Sequence, residues 1–194
     1  MKKIMGILLA ISLILAAGLS SALADVLPFG DFSMDIDPEM AGEAGEKKDG
    51  EVMVTLYPAY RAEGDSATNF NVVWTDMNEN PIPEYRDKLE TLIPNYLEMM
   101  KSGLEGNGVE TLEAEVLKIE IRNIGGREAI WISIHEKLDY SGMGDDYKGL
   151  VLDVYQVQAM VYGDFGCYAF TGSAASPEKI EQWIQPLFDS ITWN

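Results

Sequence analysis

The sequence holds one cysteine, Cys167, and one histidine, His135. A lone cysteine excludes an intramolecular disulfide. A lone histidine excludes a metal centre built from several imidazoles. Positive charge is also scarce. Fourteen Lys and Arg stand against 32 Asp and Glu, a net charge of −18. Such a surface repels phosphate backbones and anionic lipid, so it argues against nucleic-acid binding. Cations and basic protein surfaces are its natural partners, and solubility is the plainer service that the charge performs. Catalytic signatures are missing: there is no H-E-x-x-H, G-x-S-x-G, P-loop, dinucleotide fingerprint or C-x-x-C. No cofactor is expected.

Long apolar runs are absent except at the start. Lys2 and Lys3 precede an apolar stretch over residues 4–19, and Ala22-Leu23-Ala24 offers a small-x-small cleavage site before Asp25. This pattern predicts a signal peptide over residues 1–24 and a single domain over residues 25–194. The run is shorter than the roughly 20 apolar residues that span a bilayer. Leu19 follows Ala16-Ala17-Gly18, where a lipoprotein would carry cysteine. The expectation is a secreted or periplasmic protein with no stable membrane anchor after cleavage. The mature chain would keep 170 residues and, without Lys2 and Lys3, a charge of −20. A domain of that size buries roughly two thirds of its unfolded surface and needs no metal to fold.

The clearest structural signal is LKIEIRNIGGREAIWISI, residues 117–134. Two alternating runs flank Gly125-Gly126, a pair that readily takes the positive φ of a tight hairpin turn. A two-residue loop sets Ile121 against Ile130, Ile119 against Ile132 and Leu117 against Ile134. Arg122, Glu120 and Lys118 then meet Ala129, Trp131 and Ser133 on the other face. A slip of one residue would turn the aliphatic set outward.

Alternation predicts further strands over residues 32–36, 51–57 and 69–75. Val52, Val54 and Leu56 share one face of the second, and Phe70, Val72 and Trp74 one face of the third. Residues 37–50, rich in glycine and charge, read as a surface loop. Residues 83–102 change to three- and four-residue steps and predict an amphipathic helix. Pro94 should kink it and Gly103 stop it. Residues 150–162 and 165–172 predict a second hairpin around Gly163-Asp164, with Met160 opposite Cys167 and Val157 opposite Phe170. Residues 139–149 form a loop between the hairpins. A last helix starts at the Ser176 cap and Pro177, buries Ile180, Trp183, Ile184, Leu187 and Phe188, and strains at Pro186. The fold class is α+β: a mainly antiparallel sheet of about seven strands flanked by helices.

Few residues carry recognisable chemistry. His135 falls opposite Val116 and reads as a strand histidine packed under a helix. Its alternative role is acid–base work with a carboxylate. Cys167 lies mid-strand with no base beside it and reads as a buried structural thiol. Ser176-Pro177-Glu178-Lys179 matches S-x-x-K and Lys101-Ser102-Gly103 matches K-[ST]-G, but in reversed order and without S-D-N between them. Helix capping and helix termination explain both. Asp76-x-Asn78-x-Asn80 opens like a calcium loop, yet Pro81 stands where that loop needs glycine. Asp139, Asp145 and Asp146, set among glycines, are the metal candidates, at a spacing that matches no known loop. Trp74, Trp131, Tyr155 and Tyr168 either line a pocket between sheet and helix or serve as core.

Three stretches resemble the PsbP-like fold family, which includes PsbP, Mog and DcrB. They are NFNVVWTDM (residues 69–77), the turn Gly125-Gly126-Arg127-Glu128-Ala129, and YAFTGSAASPEKIEQWIQPLFDSI (residues 168–191). The likeness covers most of residues 25–191. It implies an α/β/α sandwich around an antiparallel sheet. It also implies an adaptor or assembly factor rather than a catalyst, and it transfers no set of functional residues. The expectation is an exported, soluble, non-enzymatic protein that binds another envelope or secreted protein with a basic surface. The alternative is a small-molecule or divalent-cation binder that uses an aromatic pocket or an acidic loop.

Overall fold

The structure is a computed structural model that describes residues 27–28, 30–59, 67–77 and 79–194. The proposed signal peptide, residues 1–24, lies outside the described residues, as does Asn78 of the calcium-like stretch. Seven antiparallel strands form the main sheet in the order β3-β4-β5-β9-β8-β7-β6. They are β3 (Met40–Ala44), β4 (Val52–Pro58), β5 (Asn69–Thr75), β6 (Glu110–Ile124), β7 (Arg127–Asp139), β8 (Val151–Gly163) and β9 (Gly166–Ala174). Short strands β1 (Leu27–Pro28), β2 (Phe32–Met34) and β10 (Thr192–Trp193) make a second antiparallel sheet.

The hairpin forms because its two faces differ and its turn tolerates positive φ. Gly125 and Gly126 sit at φ 59° and 96°. Ile121 pairs with Ile130, Ile119 with Ile132, Glu120 with Trp131 and Arg122 with Ala129, as the alternation requires. The pairing departs from expectation at Leu117. Val116, not Leu117, opposes Ile134, because the register shifts between Val116 and Lys118. Leu117 is the extra residue of a bulge and is 52% exposed. A second shift lies between Thr111 and Glu113, and one in β4 between Val52 and Val54. The β4 shift sends Val52 to one face and Val54 and Leu56 to the other.

Other expectations are corrected. Residues 40–44 are not loop but edge strand β3, held by five pairs to β4. The first helical region breaks after Tyr85, not at Pro94. It comprises α1 (Ile82–Tyr85), a 3-10 turn (Leu89–Leu92) and α2 (Ile93–Gly106). Pro94 occupies the first turn of α2, where its missing N–H costs nothing. Gly103 is buried inside α2, and the chain turns out at Gly108, φ 81°. A Cβ on Gly108 would lie 2.8 Å from the Gly142 carbonyl oxygen, so this approach requires glycine. The β8–β9 turn is Asp164-Phe165, which sets Met160 against Ala169 and Tyr162 against Cys167. That slip of two residues preserves every facing.

Ser176 caps α3 (Pro177–Lys179) by accepting from the Lys179 N–H. A π turn (Ile180–Ile184) then carries the chain into α4 (Gln185–Ser190) with Pro186 in its first turn. Two apolar clusters fill the two faces of the sheet. One gathers Phe32, Leu56, Phe70, Trp131, Phe170 and Phe188 under α4 and β2. The other gathers Val73, Met100, Leu104, Ile130, Ile132 and Ile134 under α2. Among the described residues, no helix is long and apolar enough to cross a membrane.

Candidate functional site

The sheet outruns its cover at one end. β9 stops at Ala174, opposite Tyr155, whereas β6, β7 and β8 continue to Glu110, Asp139 and Val151. On the face away from α2 the register builds three lateral rows: Glu115–His135–Tyr155, Glu113–Lys137–Asp153 and Glu110–Asp139–Val151. All nine residues are exposed or half-exposed. Carboxylates dominate this face. His135 Nε2 lies 3.2 Å from Asp153 Oδ1, and its ring stacks on Tyr155 at 4.5 Å between centroids. His135 therefore pairs with Glu115 rather than Val116 and is not packed under a helix. A hydrogen bond to an exposed carboxylate orients an imidazole.

β6 is also the outer edge of the sheet. Beyond it no further strand is paired among the described residues, so alternate backbone N–H and C=O groups face outward. On the α2 side, Val116, Ile119 and Ile121 are only half-buried, as are Leu89, Leu92 and Leu97 of the helical layer. An apolar seam thus follows the edge. On the other side Lys118 and Arg122 both pair with Glu120, and Arg122 lies over the Trp131 ring at 4.1 Å. These hydrogen bonds hold the Glu120 carboxyl below its ordinary range, against a smaller penalty of burial. Among the described residues, Glu113 and Glu115 make no ion pair.

The predicted metal candidates do not share one place in the structure's bonding. Asp139 ends β7 and accepts a hydrogen bond from the Ser141 N–H at 2.8 Å. The Ser141 side chain, and after it that N–H, lower its carboxyl pKa. With Glu105, Glu110 and Ser141 it lines a shallow cleft of 190 Å³. Asp145 and Asp146 sit instead in a 3-10 turn, Asp145–Tyr147. Among the described residues, no group of three or more His, Cys, Asp or Glu side chains is arranged to hold a metal ion.

The four aromatics are split. Trp131 and Tyr168 are core, packed against Phe188 and Phe32. Trp74 donates to the Phe165 carbonyl and carries the Lys47 ammonium 4.4 Å above its ring. Tyr155 stacks on His135 at the far end of the sheet. Cys167 is fully buried, and burial pushes its thiol up to about 12, so it stays protonated.

One site residue escaped the sequence reading. Glu136 continues the aliphatic phase Ile130, Ile132, Ile134 and points into the cluster under α2. It is 1% exposed, and among the described residues its Oε1 has no hydrogen-bond partner. Burial raises its pKa to about 7. A charged residue in the apolar phase of a strand was the readable signal.

No family model matches the chain, and no curated protein matches it. The solution structure of the cyanobacterial PsbP (CyanoP) of Synechocystis sp. PCC 6803 superposes with a TM-score of 0.51 at 12% identity. The match covers 93% of this chain and 99% of that one. The fold is PsbP-like. The α+β architecture implied by the three sequence stretches is therefore the observed one. A crystal structure from Bacteroides thetaiotaomicron VPI-5482 is similar at 10% identity and TM-score 0.47, covering 89% of this chain and 49% of that one. LpqN, involved in cell envelope biogenesis of Mycobacterium tuberculosis, is similar at 10% identity and TM-score 0.41, covering 83% of this chain and 82% of that one.

Proposed function

We propose that this PsbP-like chain is exported through residues 1–24, that residues 25–194 act as one domain, and that it binds another envelope or secreted protein without catalysing a reaction. The observation that carries the reading is the uncovered, carboxylate-rich end of β6, β7 and β8 beside an open sheet edge. A net charge of −18 selects a partner with a basic surface and speeds their encounter. The backbone groups of β6 supply main-chain bonds to an extended segment, and the seam at Ile119 and Ile121 accepts its apolar side chains. The His135 imidazole hydrogen-bonds to an exposed carboxylate and stacks on Tyr155, and burial keeps the Cys167 thiol protonated; both support a binding role over a hydrolytic one.

The test is crosslinking in the native cell, followed by mass spectrometry, with wild type and Glu113→Lys/Glu115→Lys. The expected result is a partner captured by wild type and lost from the variant. Recovery that is equal in both, or no partner at low salt, sinks the reading.

A further inference from the structure

The sheet face under α2 is not uniformly apolar. At one level β5, β9 and β8 set Asn71, Thr171 and Gln158 side by side, since Asn71 registers with Thr171 and Thr171 with Gln158. The three residues are 2%, 0% and 2% exposed. Neighbours in such a row hold their Cβ atoms about 4.5–5.5 Å apart.

Two hydrogen-bonded chains lead away from this row. Asn71 Nδ2 donates to Asn69 Oδ1 at 2.8 Å, and Asn69 Nδ2 donates to the Ala67 carbonyl at 3.0 Å. On the other side Gln158 Nε2 donates to Gln156 Oε1 at 2.6 Å, and Gln156 Nε2 donates to Ser173 Oγ at 3.1 Å. Each chain directs an amide N–H outward and leaves an oxygen behind. Among the described residues, Asn71 Oδ1, Gln158 Oε1 and the intervening Thr171 Oγ1 all lack a hydrogen-bond partner.

Buried polar atoms in native proteins almost always have partners, so three orphans at one level call for an occupant. The row holds no ionised side chain. A bare cation would lack a carboxylate to offset its lost hydration. An anion would meet oxygen lone pairs. The fitting chemistry is neutral and rich in donor hydrogens.

We propose that Asn71, Thr171 and Gln158 form a binding site for a neutral group with two donor hydrogens, one for each carboxamide oxygen. A water molecule has that chemistry, and so does the terminal NH2 of a ligand's primary amide. Water would also accept from the Thr171 hydroxyl, completing the roughly three hydrogen bonds that buried waters make.

Two measurements on the wild-type chain separate the sources. Oxygen-17 relaxation dispersion detects a long-lived internal water. Thermal melts compare acetamide, which carries an NH2, with acetone, which accepts only. Either a long-lived water is found, or acetamide at ten times its Kd raises the melting temperature by about 3–6 °C while acetone does not. Thr171→Val and Gln158→Leu, both first shown to be folded by circular dichroism, abolish the effect. The site is overturned if neither signal appears in wild type, if acetone matches acetamide, or if both variants keep the signal.

Discussion

The two edges of the main sheet are finished in opposite ways. β3 is five residues long, and its first three residues, Met40, Ala41 and Gly42, are buried. β6 is fifteen residues long, and only Ile124 is fully buried along it. A short, covered edge offers little to another chain. A long edge with free backbone groups is a template for pairing, and natural sheets blunt such edges with charge and bulges. β6 carries both: Glu110, Glu113, Glu115, Lys118, Glu120 and Arg122 along its length, and register shifts at Thr111/Glu113 and Val116/Lys118. A second copy of this chain would bring the same acids against them. The edge is thus guarded against itself, while the function proposed above leaves it open to a partner of opposite charge.

The first way to break this comparison is to treat both edges alike. Met40 is 1% exposed on β3 and belongs to the cluster under α4. Met40→Ala should cost about 2–5 kcal/mol, the range of buried aliphatic truncations. Urea denaturation reads this directly. A loss below about 1 kcal/mol would mean that the β3 edge is as loosely held as β6.

Among the described residues, a buried acid stands on the β6 side and none on the β3 side. Glu136 has its pKa raised from 4.5 to about 7 by burial. Tyr96 of α2 and Tyr140 lie within its field, and burial together with Glu136 raises both phenols. The folded state therefore holds this proton more tightly than the unfolded state. Its contribution is most favourable below pH 4.5 and declines up to about pH 7, the reverse of ordinary acid denaturation. Between pH 5 and 7.5 this amounts to roughly 2 kcal/mol. Glu136→Gln should remove that slope in urea denaturation at the two pH values. An unchanged slope would show that the carboxyl is hydrated or paired.

These differences were unevenly legible in the sequence. The hairpin was readable because Ile119, Ile121, Ile130 and Ile132 alternate strictly around two glycines. The bulge was not, since Val116 and Leu117 are both apolar and alternation alone chooses the wrong one. Met40–Ala44 hid because Gly42 and two alanines erase the period of two. Pro94 looked like a breaker, yet proline is tolerated in the first turn of a helix, and where the helix starts was the missing information. The β8–β9 turn was misplaced by two residues, which left every facing intact because the strand period is two. The exposed rows around His135 need the lateral order of β6, β7 and β8, which only the fold supplies. Glu136 is the exception: its place in the aliphatic phase of β7 is visible in the sequence alone.

A smaller effect tests whether charge guards β6. Glu120 bridges Lys118 and Arg122. Its lowered pKa means that its contribution is present above the unfolded value of 4.5 and is lost as pH falls through the folded one. The pair is solvent-screened, so Glu120→Gln should cost only about 0.2–1 kcal/mol, and less in high salt. The sharper readout is association. Freed of Glu120, Lys118 and Arg122 no longer neutralise a carboxylate, and the edge gains positive charge opposite another copy's Glu113 and Glu115. Sedimentation should show increased self-association at low salt, reversed at high salt.

Leu117 should give the smallest effect and the strictest comparison with Met40. Both are large apolar residues on edge strands. Met40 sits inside a cluster, whereas Leu117 is the extra residue of a bulge and 52% exposed. Exposed substitutions away from caps and cores stay within about 0.5 kcal/mol, so Leu117→Ala should leave the urea midpoint nearly unchanged. Had the unbroken register held, Leu117 would face Ile134 and its truncation would cost about 2–5 kcal/mol. One midpoint therefore decides between the two registers. If the loss is small but binding to the crosslinked partner falls, Leu117 is kept apolar for that partner and not for the fold.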